Sequence, residues 1–171
     1  NNKYILKETK EAYYYQSLVS EFCKSDGDYT LSPSLDGRFW NKMKFDSRQK
    51  SNIKQQITVI EITENNGALN LDFKVDGLPN IEVTIEICFK EGSVITGVTP
   101  DEKNNFFLNL GLAELSMGTN VIQFEPGKAE HHNINNLDSE EYTYHQGSIR
   151  ADGLHVYIIG FNPFRHTITL G

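Results

Sequence analysis

A chain of 171 residues and 19.5 kDa is long enough to bury one sizeable core without disulfides or metals to hold it together. Apolar residues at 38% and charged residues at 23% make it globular rather than disordered. A net charge of −7 with no Lys or Arg run longer than two argues against a nucleic-acid partner, and no apolar stretch approaches the roughly 20 residues of a membrane span.

The opening residues Asn1-Asn2-Lys3 include neither an initiator methionine nor a signal peptide, so the chain reads as a processed protein or a piece of a longer one. In KETKEAYYYQSLVSEF (7–22), good helix formers carry Ala12, Tyr15, Val19 and Phe22 about one helical turn apart. This predicts a short helical or extended lead-in over residues 1–28, ended by the turn-forming Asp26-Gly27. Tyr13, Tyr14 and Tyr15 cannot all be buried on one face. Some must be exposed or meet another surface, for which a preceding domain is the simplest partner. Asp26, Asp28 and Asp36 are oxygen ligands of the kind calcium takes, but the fixed offsets of a calcium loop are missing, and a turn is the better reading.

SLDGRFWNKMKF (34–45) holds the single tryptophan. Read as extended chain, it puts Phe39, Asn41, Met43 and Phe45 on one face and Arg38, Trp40, Lys42 and Lys44 on the other. An indole among cationic donors is the usual basis of sugar binding, since ring and CH groups stack while charged groups bond hydroxyls. Trp40, Arg38 and Lys42 are therefore the candidate ligand-binding residues. The competing reading is that Trp40 packs under a neighbouring loop with the lysine stems around it.

From Tyr29 onward the hydrophobic period is two. ITVIEITE (57–64) crowds β-branched residues, and LNLDFKV (69–75) alternates cleanly, with the Asn65-Asn66-Gly67 break between them as a hairpin signal. IEVTIEICF (81–89) is expected to be a central strand with Ile81, Val83, Ile85, Ile87 and Phe89 buried together. SVITGV, FFLNLG, AELSMG, NVIQF, YTYHQ, LHVYIIGF and HTITL follow. About ten to twelve short strands with no room for crossover helices exclude a parallel α/β sheet. The expected fold is all-β: an antiparallel two-sheet sandwich of jelly-roll or large-sandwich type over residues 29–171, behind the N-terminal helical lead-in.

The stretch FEPGKAEHHN (124–133) gathers Glu130, His131 and His132 after a Pro-Gly turn. Such groups can bind metal or move protons. Adjacent side chains of an extended chain diverge, however, so His131 and His132 cannot both reach one ion without a sharp bend. No metal or cofactor is expected, and the cluster reads as solvated turn residues. The alternative is an enzyme, a lyase or isomerase, using these three with His145, His155 or His166. Cys23 and Cys88 could pair in an oxidising compartment or remain free thiols.

GTNVIQFEPGKAEHHN (118–133), together with HVYIIGFNPFRHTITL (155–170), resembles the C-terminal β-sandwich domains of heparinase-like polysaccharide-degrading proteins of gut bacteria. The likeness spans about a third of the chain, from 118 to 170, and includes no catalytic motif of that family. It implies an extracytoplasmic, non-catalytic accessory module of a larger carbohydrate-active protein, with an upstream domain and a polysaccharide as candidate partners.

Overall fold

The computed structural model describes residues 2–16, 45–100, 105–128, 141–144 and 147–171. Among the described residues, thirteen strands run in chain order: β1 Lys3–Tyr15, β2 Lys50–Asn65, β3 Ala68–Asp76, β4 Glu82–Phe89, β5 Val94–Thr96, β6 Thr99–Pro100, β7 Phe106–Phe107, β8 Ala113–Met117, β9 Asn120–Glu125, β10 Glu141–Tyr144, β11 Gly147–Arg150, β12 Leu154–Phe161 and β13 Phe164–Leu170. The helical element among the described residues is one 3-10 turn, Phe45–Ser47. The chain divides into two compact units, Asn1–Thr9 with Gln56–Gly171, and Lys10–Gln55.

The expected helical lead-in is a strand as far as Tyr15; Val19 and Phe22 lie outside the described residues. Consecutive tyrosines favour a pleated backbone, and hydrogen bonding to β2 outweighs the modest helix propensity of Lys and Glu. Strand periodicity then sorts the tyrosines. Tyr13 and Tyr15 share a face, with ring centroids 5.2 Å apart, and Tyr15 packs on Phe45 at 4.7 Å. Tyr14, on the other face, is 70% exposed. Phe45 opens the 3-10 turn, so the extended reading of 34–45 does not reach it.

Seven strands form one sheet in the order β1-β2-β3-β13-β9-β8-β5, and four form another in the order β4-β12-β7-β6. A separate ribbon pairs β10 with β11. The hairpin joining β2 to β3 turns on two residues, Asn66 and Gly67, with φ of 52° and 87°. Both are left-handed, as a type I′ turn requires, and this fixes a register in which Ile60 faces Phe73 and Thr58 faces Val75. The smaller sheet is mixed rather than purely antiparallel, because β7 runs parallel to β12.

One apolar core draws on both sheets: Val75, Ala113, Leu115, Phe124, Phe164 and Ile168 from the larger, Ile85, Val156 and Ile158 from the smaller, and Leu108 just after β7. The arrangement is sandwich-like. In β4 the expected alternation holds for Val83, Ile85, Ile87 and Phe89, which lie in or against that core. It fails at Ile81, which precedes the strand and is 47% exposed. Nor is β4 central. Its neighbour is β12, and the strand lies at the sheet's edge.

Pro126 and Gly127 follow directly on β9. The chain leaves β9 through them and meets the smaller sheet, where the Lys128 carbonyl accepts from the Ile159 amide at 3.1 Å. The Lys128 amide donates to the Leu108 carbonyl at 3.0 Å. Gly127 lies so close to Leu108 that a Cβ would sit 2.6 Å from its carbonyl oxygen, which only glycine avoids. His166 Nε2 donates to the Pro126 carbonyl at 2.7 Å and fixes the crossing point.

Ile158 and Phe124 are fully buried. Truncating either to alanine should cost about 2–5 kcal/mol, while Ile81→Ala should cost less than about 1 kcal/mol. Urea midpoints for the three variants, with unchanged slope, provide the measurement.

Candidate functional site

The outer face of the smaller sheet carries the polar groups that the core face excludes. Because Val156 and Ile158 point into the core, His155, Tyr157 and Ile159 point away from it. The β4·β12 register then sets His155 opposite Cys88 and Tyr157 opposite Glu86, while β7 brings Phe107 opposite Tyr157. Phe107, Tyr157 and Ile159 form a second buried cluster.

His155 is 7% exposed. Its Nε2 lies 3.0 Å from the Ala151 carbonyl, and a carbonyl only accepts, so this nitrogen carries the proton. Its Nδ1 faces Glu86 Oε1 at 3.6 Å, too long for a hydrogen bond, and has no hydrogen-bond partner among the described residues. Tyr157 donates its hydroxyl to the other Glu86 oxygen at 3.1 Å. Cys88 Sγ lies 3.8 Å from His155 Nε2 and 3.6 Å from the Asp152 carbonyl.

A cysteine, a histidine and a carboxylate in that order outline a nucleophile, its base and an orienting group. The chemistry does not follow from the outline. The Nε2 that would take the thiol proton already donates to Ala151, so the tautomer is wrong for a base toward Cys88. Desolvation pushes the thiol pKa above its usual value, and the carboxylates of Glu86 and Asp152 push it further, so the thiolate is disfavoured. What Cys88 and His155 do together is hold the carbonyls of Ala151 and Asp152, and so the turn entering β12. The same turn needs Gly153, whose φ of 139° and close approach to the Phe89 carbonyl leave no room for a side chain.

Two other features stand out in the larger unit. Glu61 and Asp72 face each other across β2 and β3, and Lys3 and Lys74 neutralise them at 2.9 Å and 2.8 Å respectively. Hydrogen bonding to Lys3 lowers the Glu61 pKa, and hydrogen bonding to Lys74 lowers that of Asp72. An open groove of about 330 Å³ is lined by Ile5, Leu6, Lys7, Glu8, Thr58 and Ile60.

Arg38, Trp40 and Lys42 lie outside the described residues, as do Glu130, His131 and His132, and Cys23, His145, Asp26, Asp28 and Asp36. No group of three or more metal-ligating side chains occurs among the described residues. His155 is placed in a late strand, as the sequence indicates, but its partners Glu86 and Cys88 were not singled out together. Their alternation with Val83, Ile85 and Ile87 is visible in the sequence; the pairing with a strand 67 positions away is not.

No family model matches the chain, and no solved structure matches it. The chain is similar to a titin homolog of Caenorhabditis elegans, with 29% identity over 119 residues. That stretch covers 70% of this chain, which spans only 1% of the titin homolog's length. Such a likeness places the chain in no family.

Two measurements check these electrostatics. Alkylation of Cys88 in a Cys23→Ser background should be slow at neutral pH and reach half its maximal rate above the usual thiol pKa. Glu86→Gln should move that profile toward lower pH, because a negative charge beside the thiol is lost. Since Glu61 and Asp72 have lowered folded-state pKa values, the stability they contribute is present above the unfolded carboxylate range and lost as pH falls through the folded values. Lys74→Met should therefore flatten the rise of stability with pH across the acid range, read by urea unfolding at successive pH values.

Proposed function

We propose that the chain is a non-catalytic accessory module, a two-sheet sandwich of the large-sandwich kind, within a larger extracytoplasmic carbohydrate-active protein. The observation that carries the non-catalytic half of this reading is the bonding of His155. The one buried histidine beside a thiol and a carboxylate among the described residues spends its proton on the Ala151 carbonyl and serves the turn before β12. The carbohydrate half rests on the resemblance of residues 118–133 and 155–170 and on Trp40 standing in sequence between Arg38 and Lys42. Under this reading Trp40 stacks on a sugar ring while Arg38 and Lys42 bond its hydroxyl or acidic groups.

Because Trp40 is the single tryptophan, intrinsic indole fluorescence reports on it alone. A panel of neutral and acidic oligosaccharides should quench it saturably, and Trp40→Ala should abolish binding measured by calorimetry. A panel with no effect would remove the saccharide role. Stoichiometric zinc, nickel or manganese in untagged protein, lost in His132→Ala, would instead favour an enzyme built on Glu130, His131 and His132.

A further inference from the structure

The role of His155 in the turn before β12 does not account for its second ring nitrogen. Nδ1 belongs to a side chain only 7% exposed, has no hydrogen-bond partner among the described residues, and faces Glu86 Oε1 at 3.6 Å. While Nε2 keeps the proton and donates it to the Ala151 carbonyl, two acceptors face each other across that gap. A buried acceptor left in this way costs stability. The other tautomer removes the cost. With the proton on Nδ1, His155 donates to the Glu86 carboxylate, whose other oxygen accepts from the Tyr157 hydroxyl. Nε2 is then a lone pair beside the Ala151 carbonyl, and a positive charge other than a proton must stand between them.

Donor atoms for such a charge are gathered at that nitrogen. Cys88 Sγ lies 3.8 Å from Nε2 and 3.6 Å from the Asp152 carbonyl, and the Ala151 carbonyl lies 3.0 Å from Nε2. Metal bonds of about 2.0 Å to nitrogen and about 2.3 Å to sulfur set the two ligands about 3.5 Å apart at a tetrahedral angle and about 4.3 Å apart in line. The separation of Sγ and Nε2 falls between these limits. All these groups belong to one compact unit, and Cys88 is exposed while His155 is buried, so an ion can enter at the sulfur and come to rest against the ring.

We propose that Cys88 Sγ and His155 Nε2 form a binding site for a soft monovalent cation, copper(I), with the carbonyls of Ala151 and Asp152 beside it. This inference goes beyond the accessory-module reading and does not depend on it. Thiolate and imidazole together suit copper(I) or zinc. Zinc takes three or four protein ligands, and no group of three metal-ligating side chains occurs among the described residues. A filled-shell monovalent ion is satisfied by two strong donors. On binding, copper(I) displaces the thiol proton of Cys88, which leaves to water, and the ring proton of His155 passes from Nε2 to Nδ1. Thiolate and copper(I) then cancel in charge. Burial, and after it the carboxylates of Glu86 and Asp152, hold the free thiol protonated, and those same carboxylates favour a cation at the sulfur. A carboxylate behind the far nitrogen is also the usual support of a metal-bound imidazole.

The test uses the whole chain carrying Cys23→Ser, reduced and free of oxygen, with copper(I) supplied in competition with a chromogenic chelator. One copper(I) per chain should bind. Cys88→Ser should abolish binding, and His155→Gln should weaken it by more than the roughly tenfold that loss of a supporting group costs, with circular dichroism confirming each fold. X-ray absorption of the copper-loaded Cys23→Ser protein, which needs no change at the site, should show one sulfur and an imidazole nitrogen bound to the metal. With silver(I) as a redox-inert probe, ring nitrogen chemical shifts should place the His155 proton on Nε2 in the free protein and on Nδ1 in the loaded one. Undiminished affinity in a folded His155→Gln variant, copper without a nitrogen neighbour, or an unchanged tautomer would mean an adventitious ion only, held by an exposed thiol, and each overturns the proposal. So does a chain that takes up no copper(I) against the chelator.

Discussion

The fold depends on one strand. β12 is buried along nearly its whole length, with Val156 and Ile158 in the main core and Tyr157 and Ile159 in the second apolar cluster on its other face. A strand buried on both sides must have its backbone groups bonded within the protein, because water cannot reach them. β12 meets that requirement with β4 antiparallel along one edge and, along the other, with β7 in parallel followed by the Leu108 amide and the Lys128 carbonyl. Full burial of each of its large aliphatic side chains contributes about 1.5–3 kcal/mol.

That demand explains features that look unrelated in the sequence. The chain must leave β9 and reach the free edge of β12, and it does so through Pro126 and Gly127, where only glycine fits against Leu108. The turn entering β12 must be held against the end of β4, and Cys88, His155 and Gly153 hold it. A cluster that resembles catalytic machinery in outline is thus the device that starts the buried strand. The physical distinction lies in one proton: on Nε2, donated to a carbonyl, it fixes a loop, whereas a base needs that nitrogen free to accept.

The sequence is most readable where structure is local. The Asn66-Gly67 turn, the alternation of β3 and the core face of β4 from Val83 to Phe89 all follow from period two and left-handed turn residues. It is least readable where partners decide. Ala12 and Tyr15 fit a helical spacing, and the strand comes from pairing with β2, which begins 35 residues after Tyr15. Ile81 continues the alternation of β4 but precedes the strand and is exposed, so the pattern alone did not show where burial begins. The Glu86, Cys88 and His155 group was hidden for the same reason, since a register between strands far apart in sequence cannot be read from either strand alone.

If β12 is the element on which the rest relies, its amides open only when the whole larger unit opens. Native-state hydrogen exchange resolved to single amides tests this most directly. The account predicts that the amides of Val156 and Ile158 exchange slowest, with a free energy equal to that of global unfolding measured in denaturant. Amides in β12 that exchange at a markedly lower free energy, or faster than those of the β2–β3 hairpin, would contradict it.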